Sequence, residues 1–251
     1  MQITYIAHSG FLAELEHNAF LFDYYQGDIP SVPQNKKLYV FASHFHGDHF
    51  NPEIFRLADI HPDIQFVLSD DIFKKNVPAP LLEKTVFLKA RTTWTNNTPD
   101  TGCATAAKSV SAPLEPSSIE VTTLKSTDEG VAFLIRCEGK TIYHAGDLNW
   151  WRWEGEPDPW NPQMEKNFKA FIEPLRGTQI DVAFIPLDPR QQDDYHLGMD
   201  YFLELTDTKV ICPMHCWEDY SIIDRWFSQH QGSPYSSRIV KITARGDHFT
   251  V

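Results

Sequence analysis

The stretch FASHFHGDHF, residues 41–50, places three histidines and an aspartate within six consecutive positions: His44, His46, Asp48 and His49. It follows the apolar run KLYVFAS (37–43), which is typical of a strand buried on both faces. The next segment, NPEIFRLADIHP (51–62), has Pro52 in its first turn and predicts a short helix. The four side chains are therefore expected at the carboxyl end of a strand, where α/β proteins commonly place their chemistry.

These residue types are ligands that Zn²⁺ and similar divalent ions prefer. His44 and His46 can converge on one ion from an extended turn, and the Asp48–His49 pair can reach another. The alternative is a set of hydrogen-bonded surface or core histidines, which we disfavour because so dense a spacing is improbable with eleven histidines in 251 residues. The sequence therefore predicts a metal site that needs further ligands from other segments.

Three later segments that follow apolar, strand-like runs offer such ligands. They are LKSTDEG (124–130) with Ser126 and Asp128, IYHAGD (142–147) with His144 and Asp147, and CPMH (212–215) with His215. Each segment alone is weak evidence, because turns and capped imidazoles are common after strands. Their order along the chain and their shared placement strengthen the prediction.

The remaining chain predicts an α/β fold with a large mixed sheet or two stacked sheets. Strand-like runs dominate the first third and later alternate with the predicted helices 160–177, 199–208 and 220–230, before closing strands at 237–243 and 247–251. Residues 91–118 are rich in Thr, Ser, Ala and Pro and show no period. We interpret 1–251 as a single domain with a loop excursion at about 91–118.

Composition limits the partners and the compartment. The net charge of −12 repels phosphate backbones, so no long nucleic acid is expected, although a local Arg or a metal could still attract a small anionic substrate. No run approaches the roughly 20 apolar residues of a membrane span, and MQITYIAHSG (1–10) lacks secretory-signal character. We predict a cytoplasmic protein with no membrane partner and four reduced cysteines, and we leave homo-oligomerisation open.

The motifs SHFHGDH (43–49), IYHAGD and CPMH resemble those of the metallo-β-lactamase superfamily. Within it, the chain resembles the L-ascorbate-6-phosphate lactonase-like group, also in its opening ITYIAHSGFLAELEHNAFLFDYY (3–25). The resemblance implies a four-layer αββα sandwich and a metal-dependent hydrolase of small molecules. It assigns His44 and His46 to a first metal position, Asp48, His49 and His215 to a second, and Asp147 to a bridge between them. It further implies a water or hydroxide between the metals as nucleophile, with Asp48 as the catalytic residue that fixes the metal and orients this nucleophile. His8 matches a family position expected to lie behind the ligands.

The chain departs from the family pattern at the first metal position. The pattern has another histidine on the strand before the GD strand, yet no histidine lies between Val121 and Lys140. The first position is then weak or empty, or Asp128 or a water held by Ser126 completes it, which would suit Mn²⁺ better than Zn²⁺. We expect one firmly held ion and at most a weaker second one. His144 is expected to orient Asp147 or to donate to substrate.

Two loops are expected at the mouth of the site. LNWWRWEGEPDPWNP (148–162) carries four tryptophans, which either pack on the core or face a substrate. In LDPRQQDDYHLGMD (187–200), Arg190 either clamps an anionic substrate or pairs with a nearby aspartate, and His196 is expected to orient substrate.

The predicted reaction is hydrolysis of a small-molecule ester, lactone, amide or phosphoester. The alternatives are a phosphodiesterase acting on short nucleic acid, as in relatives of this fold, and a non-catalytic metal- or ligand-binding protein. The altered LKSTDEG segment favours the non-catalytic alternative, and the joint presence of Asp48, Asp147 and His215 argues against it.

Overall fold

The computed structural model describes residues 1–96, 118–157 and 159–251. Two sheets dominate it. The first has the order β13-β1-β2-β3-β4-β5-β6 and consists of β1 (Gln2–Ala7), β2 (Gly10–Glu14), β3 (Asn18–Phe22), β4 (Lys37–Ala42), β5 (Ile64–Ser69), β6 (Thr85–Leu88) and β13 (His248–Thr250). The second has the order β12-β11-β10-β9-β8-β7 and consists of β7 (Thr93–Thr95), β8 (Ile119–Lys125), β9 (Val131–Cys137), β10 (Lys140–His144), β11 (Gln179–Pro186) and β12 (Asp207–Met214).

The side chains of β4 alternate between two apolar cores, one on each face of the first sheet. Tyr39 and Phe41 point into the core shared with the second sheet, whereas Val40 and Ala42 point to the opposite face. That opposite face is covered by the 3₁₀ turn Pro52–Arg56 and α1 (Leu57–Ile60). Both faces are therefore apolar, which is why the run 37–43 shows no polar alternation.

Three longer helices cover the outside of the second sheet. They are α2 (Trp160–Ile172), α3 (Leu197–Leu205) and α4 (Ser221–Gln229). α2 contacts β8, and α3 contacts β11 and β12. The order of layers is helix, sheet, sheet, helix, as predicted. No described helix is long and apolar enough to cross a bilayer.

Some segments differ from the sequence prediction. Residues 237–243 form no strand; an isolated bridge between Ile211 and Ile239 joins this segment to β12 after the 3₁₀ turn Ser236–Arg238. β5 and β6 extend the first sheet with parallel strands that we did not predict. Most of the loop excursion predicted at 91–118 lies outside the described residues, although its start includes β7.

Strand direction gathers the chemistry at one edge. β4 runs parallel to β3, and β10, β11 and β12 run parallel to one another. Their carboxyl ends lie at the same edge as the β1–β2 and β8–β9 turns, because each of these hairpins pairs antiparallel with a neighbouring strand. The turns that carry the predicted ligands therefore meet there.

Candidate metal centre

Eight side chains form two adjacent groups of candidate metal ligands at this edge. Within each group, one ligand atom per residue lies within 4.8 Å of the others. The first group is His44, His46, Asp128 and Asp147, and the second is His8, Asp48, His49 and His215.

Asp147 lies between the two groups. Its Oδ1 is 3.2 Å from His49 Nε2 and 3.3 Å from His215 Nε2, whereas its Oδ2 is 3.6 Å from His44 Nε2. One carboxylate oxygen thus faces each group. This is the geometry that a bridging carboxylate needs.

The convergent atoms fit a divalent cation. In the described part of the chain, the Nε2 atoms of His8, His44, His49 and His215 and the Oδ1 of Asp147 are buried without a well-formed hydrogen bond. Buried polar atoms almost always have a partner, so each such atom calls for an explanation. A cation with nitrogen and oxygen ligands supplies a partner to all of them at once.

In His44, His49 and His215, the ring nitrogen Nδ1 points away from the centre and has a hydrogen-bond partner that orients the ring. His49 Nδ1 donates to Asp23 Oδ2 over 2.7 Å, and His215 Nδ1 donates to Asp188 Oδ2 over 2.9 Å. Ser43 Oγ donates to Asp23 over 2.6 Å and is 3.0 Å from His44 Nδ1, from which it can accept. These contacts direct each Nε2 towards the centre, as partners behind metal-binding histidines do.

The charges of the centre stabilise one another against burial. Burial opposes the charge on His49, but Asp147 and Asp23 raise its pKa well above the usual value. Burial likewise opposes the Asp147 carboxylate, but His49, His215 and His44 hold its pKa well below the usual value. Burial lowers the pKa of His44 to about 4, and the charge on His49 adds to this effect. His44 is therefore neutral at pH 7 and has the lone pair that a metal requires, whereas the raised pKa of His49 means that a metal must displace a proton there.

Gly130 allows the hairpin that carries Asp128 to lie against the strand end that carries His44. Its φ is +65°, and a Cβ there would lie 2.0 Å from Ser43 O and 2.6 Å from His44 Cβ. Val131 N then donates to Ser43 O over 2.9 Å. In this turn, Gly130 is thus required by the close approach of the backbone, and Asp128 supplies a candidate metal ligand.

Asp128, rather than Ser126, occupies the place opposite His46. Ser126 is buried, and its Oγ accepts from Asp128 N over 3.1 Å, so it holds the turn in shape. Asp128 Oδ2 is 3.6 Å from His46 Nδ1. Their side chains are 46% and 38% exposed, so this corner of the first group faces solvent.

His8 was predicted to lie behind the metal ligands, but its side chain lies among the candidate ligands of the second group. Its Nε2 is 3.4 Å from Asp48 Oδ2, and its ring centroid is 4.1 Å from that of His215. The backbone brings it there: His8 and His215 have φ of 55° and 63°, and His215 N donates to His8 O over 3.1 Å. Such left-handed conformations of non-glycine residues cluster at functional sites.

His144 has both ring nitrogens engaged away from any cleft. Gly146 N donates to its Nδ1 over 3.1 Å, so its Nε2 donates to Ser9 O over 2.9 Å. The ring is fully buried and stacks on Phe22. Of its two predicted roles, donation to substrate is therefore wrong, and support of the turn that carries Asp147 remains.

His196 also differs from its prediction, because it pairs with residues of the helical layer. Its Nδ1 is 2.6 Å from Asp200 Oδ2, which is 2.8 Å from His230 Nε2. Trp226 Nε1 donates to the other oxygen of Asp200 over 2.8 Å. His196 belongs neither to the two ligand groups at the centre nor to the residues that line the cleft beside them.

Arg190 pairs with Asp188, which was one of its two predicted arrangements. Its Nε is 3.0 Å from both oxygens of Asp188, and its Nη2 is 2.5 Å from Oδ2. The half-exposed guanidinium also lies 4.5 Å from the ring centroid of Trp217 and 5.7 Å from that of Trp153. The ion pair thus links the residue behind His215 to an aromatic surface.

A cleft of about 140 Å³ opens beside the first ligand group. It is lined by Thr127, Asp128, Asp147, Trp151, Trp153, Trp160, Met164 and Arg190. Three of the four tryptophans of 148–162 thus line it, while Trp150 packs against Phe168 of the core. Of the two roles predicted for these tryptophans, Trp150 thus has the packing role, and the other three line the cleft.

Sequence reasoning missed Asp23 as a partner of the centre and considered Asp188 only as a partner of Arg190. Both follow apolar strands, β3 and β11, in the way that Asp147 follows β10. The acidic residues that follow β3, β10 and β11 at this edge were the available signal.

The fold matches solved structures over nearly the whole chain. A metallo hydrolase from Ignicoccus hospitalis aligns with 100% of this chain and 98% of that chain, with a TM-score of 0.57 and 16% identity. A metallo-β-lactamase fold protein from Bacillus subtilis aligns over 99% of each chain, with a TM-score of 0.56 and 15% identity. The chain has the metallo-β-lactamase fold. An isothiocyanate hydrolase from Delia radicum gut bacteria aligns with 100% of this chain and 99% of that chain, with a TM-score of 0.52 and 15% identity. No protein-family model and no curated protein matches the sequence.

Proposed function

We propose that the chain is a metal-dependent hydrolase of small-molecule esters, lactones or phosphoesters. The observation that carries the proposal is the convergence, beside an open cleft, of buried imidazole and carboxylate atoms that lack a well-formed hydrogen bond. Structures of the same fold include a metallo hydrolase and an isothiocyanate hydrolase, which supports the reaction class. The motif resemblance to the L-ascorbate-6-phosphate lactonase-like group adds lactones to the substrates worth testing.

We propose two unequal metal positions. The second group offers three imidazoles and a carboxylate, which suits Zn²⁺. The first group offers two imidazoles and two carboxylates and is partly exposed, which suits a harder ion such as Mn²⁺ and weaker binding. Asp128 takes the place of the absent histidine, so the first position has four protein ligands and need not be empty.

The protein residues prepare the centre for hydrolysis. A divalent metal supplies Lewis acidity and lowers the pKa of bound water to roughly 7. Asp147 holds the two groups together, and Asp23 and Asp188 fix the rings of His49 and His215. Although burial opposes it, His8 and His49 hold the pKa of Asp48 far below the usual value. Asp48 is thus a carboxylate that can accept a hydrogen bond from an attacking water and orient it.

Metal analysis joined to a substrate screen tests this function. Protein loaded with Zn²⁺ or Mn²⁺ should hydrolyse at least one of phenyl acetate, an aliphatic lactone and p-nitrophenyl phosphate. His215→Ala should lose activity and the metal of the second group, whereas His17→Ala, which changes an exposed turn residue, should keep the activity and the full metal content. Equal metal content in His215→Ala and wild type would refute the ligand assignment. Full metal loading without activity in an extended screen would favour a non-catalytic binding protein.

A further inference from the structure

Three tryptophans and a methionine make up half of the residues that line the cleft beside Asp128 and Asp147. Trp151 and Trp153 stack with ring centroids 5.7 Å apart and planes 5° apart. Trp160 and Met164, one helical turn apart at the start of α2, also line the cleft. Trp151 is buried, whereas Trp153, Trp160 and Met164 remain partly open to solvent. Large apolar side chains that are partly exposed beside a candidate centre are typical of a binding surface.

The aromatic wall is fixed before any ligand binds. Trp151 Nε1 donates to Asp147 O over 3.0 Å, which ties the indole to the turn that carries the bridging carboxylate. Trp153 N donates to Asn161 Oδ1 over 3.0 Å, and Asn161 Nδ2 donates back to Trp153 O over 2.9 Å. A preorganised surface of this kind binds a ring without an ordering cost.

The polar groups of the cleft are already engaged. Thr127 Oγ1 donates to Asn149 O over 2.7 Å, and Asp188 neutralises the charge of Arg190. Asp128 and Asp147 belong to the ligand groups, so their charge would be balanced by a bound cation. The guanidinium of Arg190 is therefore not a free cation that selects an anionic substituent, and the rest of the lining offers tryptophan and methionine side chains to an uncharged ring.

The dimensions favour a single ring. The cleft measures about 140 Å³, close to the roughly 150 Å³ of an apolar cavity that holds one benzene molecule. A neighbouring recess shares Trp160 and Met164 and leaves room for a substituent on that ring.

We infer that this cleft binds a single uncharged aromatic ring attached directly to the reacting centre of the substrate. The inference rests on the proposed function and narrows its substrate class to aryl esters, aryl lactones and related aromatic compounds. It agrees with the pairing of Arg190 with Asp188, which was the alternative to an anion clamp.

A pair of hydroxamates isolates the contribution of the ring. Acetohydroxamate and benzohydroxamate present the same chelating oxygens to a metal, and they differ in a methyl group against a phenyl group. Zinc-loaded protein should bind benzohydroxamate about 10-fold more tightly, because one aromatic pair is worth roughly that factor. Isothermal titration measures both affinities without any need for hydrolysis.

Trp153 variants locate the effect. Trp153→Ala should reduce the affinity ratio to near unity and leave acetohydroxamate binding unchanged, while Trp153→Phe should keep most of the ratio. Trp94→Ala, which truncates a tryptophan of β7 packed on the core, should preserve the ratio. Equal affinities in the wild type, or an unchanged ratio in Trp153→Ala, would overturn the aromatic cleft and leave the metal centre standing. Failure to take up zinc and to bind either hydroxamate would overturn the proposed function together with this inference.

Discussion

Asp128→Ala should weaken metal binding at the first ligand group and leave the second group unchanged. Asp128 supplies one of the four candidate ligands of the first group and none of the second. Loss of a partner merely behind a ligand costs roughly 10–100-fold in metal affinity, so loss of the ligand itself should cost at least this much, about 1.4–2.8 kcal/mol. The 46% exposure of Asp128 places the effect towards the lower end, because solvent can replace an exposed carboxylate.

The assay is a titration of metal-free protein with Zn²⁺ and Mn²⁺ in competition with a chromophoric chelator. The wild type should show a tight and a weak phase, and Asp128→Ala should alter the weak phase. Glu129→Ala removes the same charge from the adjacent exposed position and should alter neither phase. Asp128→His should tighten zinc binding in the weak phase, whereas Ser126→His should not, because Ser126 is buried and holds the turn through Asp128 N. Identical titrations of wild type and Asp128→Ala would refute the claim that this carboxylate replaces the family histidine.

Further predictions concern the support of the centre and the fold. Asp23→Asn should weaken metal binding at the second group by roughly 10–100-fold, measured by the same titration, because it disturbs the ring orientation of His49; unchanged affinity would contradict this role. Gly130→Ala should destabilise the protein by more than about 2 kcal/mol in urea unfolding, whereas Gly139→Ala, with φ +69° but open space around it, should cost about 1 kcal/mol; similar losses would contradict the steric argument. Although burial opposes it, hydrogen bonds from a lysine and a backbone amide lower the pKa of Asp181, so its contribution to stability is present above its unfolded pKa and disappears as the pH falls through the lower folded pKa. Asp181→Asn should accordingly lower the Tm at pH 7, and its difference from wild type should shrink as the pH is lowered below the usual aspartate pKa; a difference that stays constant over this range would refute this.

The sequence predicted the fold because its signals are local. The run 37–43 is apolar at every position that faces either core, and β4 indeed packs on both sides. The ligand motifs follow strands, and parallel strands bring their carboxyl ends to one edge regardless of the details of packing. Strand ends and a fold resemblance therefore sufficed to bring His44, Asp147 and His215 together.

The sequence signals left the choice between Asp128 and Ser126 open and did not identify His8 as a candidate ligand, because the positions of these side chains depend on the conformation of turns and not on the strand pattern. Ser126 and Asp128 lie two residues apart in the same turn, and the hydrogen bond between them decides which one faces His46. His8 reaches the centre through a positive φ, an unusual conformation for a histidine. The prediction for His196 did not anticipate its contacts: Asp200 lies only one helical turn further along the chain, but His230, which shares that carboxylate, is far away in the sequence.

Asp128 connects the choice of metal to the choice of substrate. It belongs to the first ligand group and also lines the cleft, so the exchange of a family histidine for a carboxylate acts on both. At the metal, it makes the ligand set richer in oxygen and moves its preference towards harder ions. In the cleft, its charge would be balanced by the ion that it helps to hold, and the guanidinium of Arg190 is already neutralised by Asp188. Neither group is then a free charge that selects a phosphate or carboxylate on the substrate, and the apolar part of the lining remains for an uncharged ring. Asp128 thus links the proposed harder first metal position to the proposed uncharged aromatic substrate.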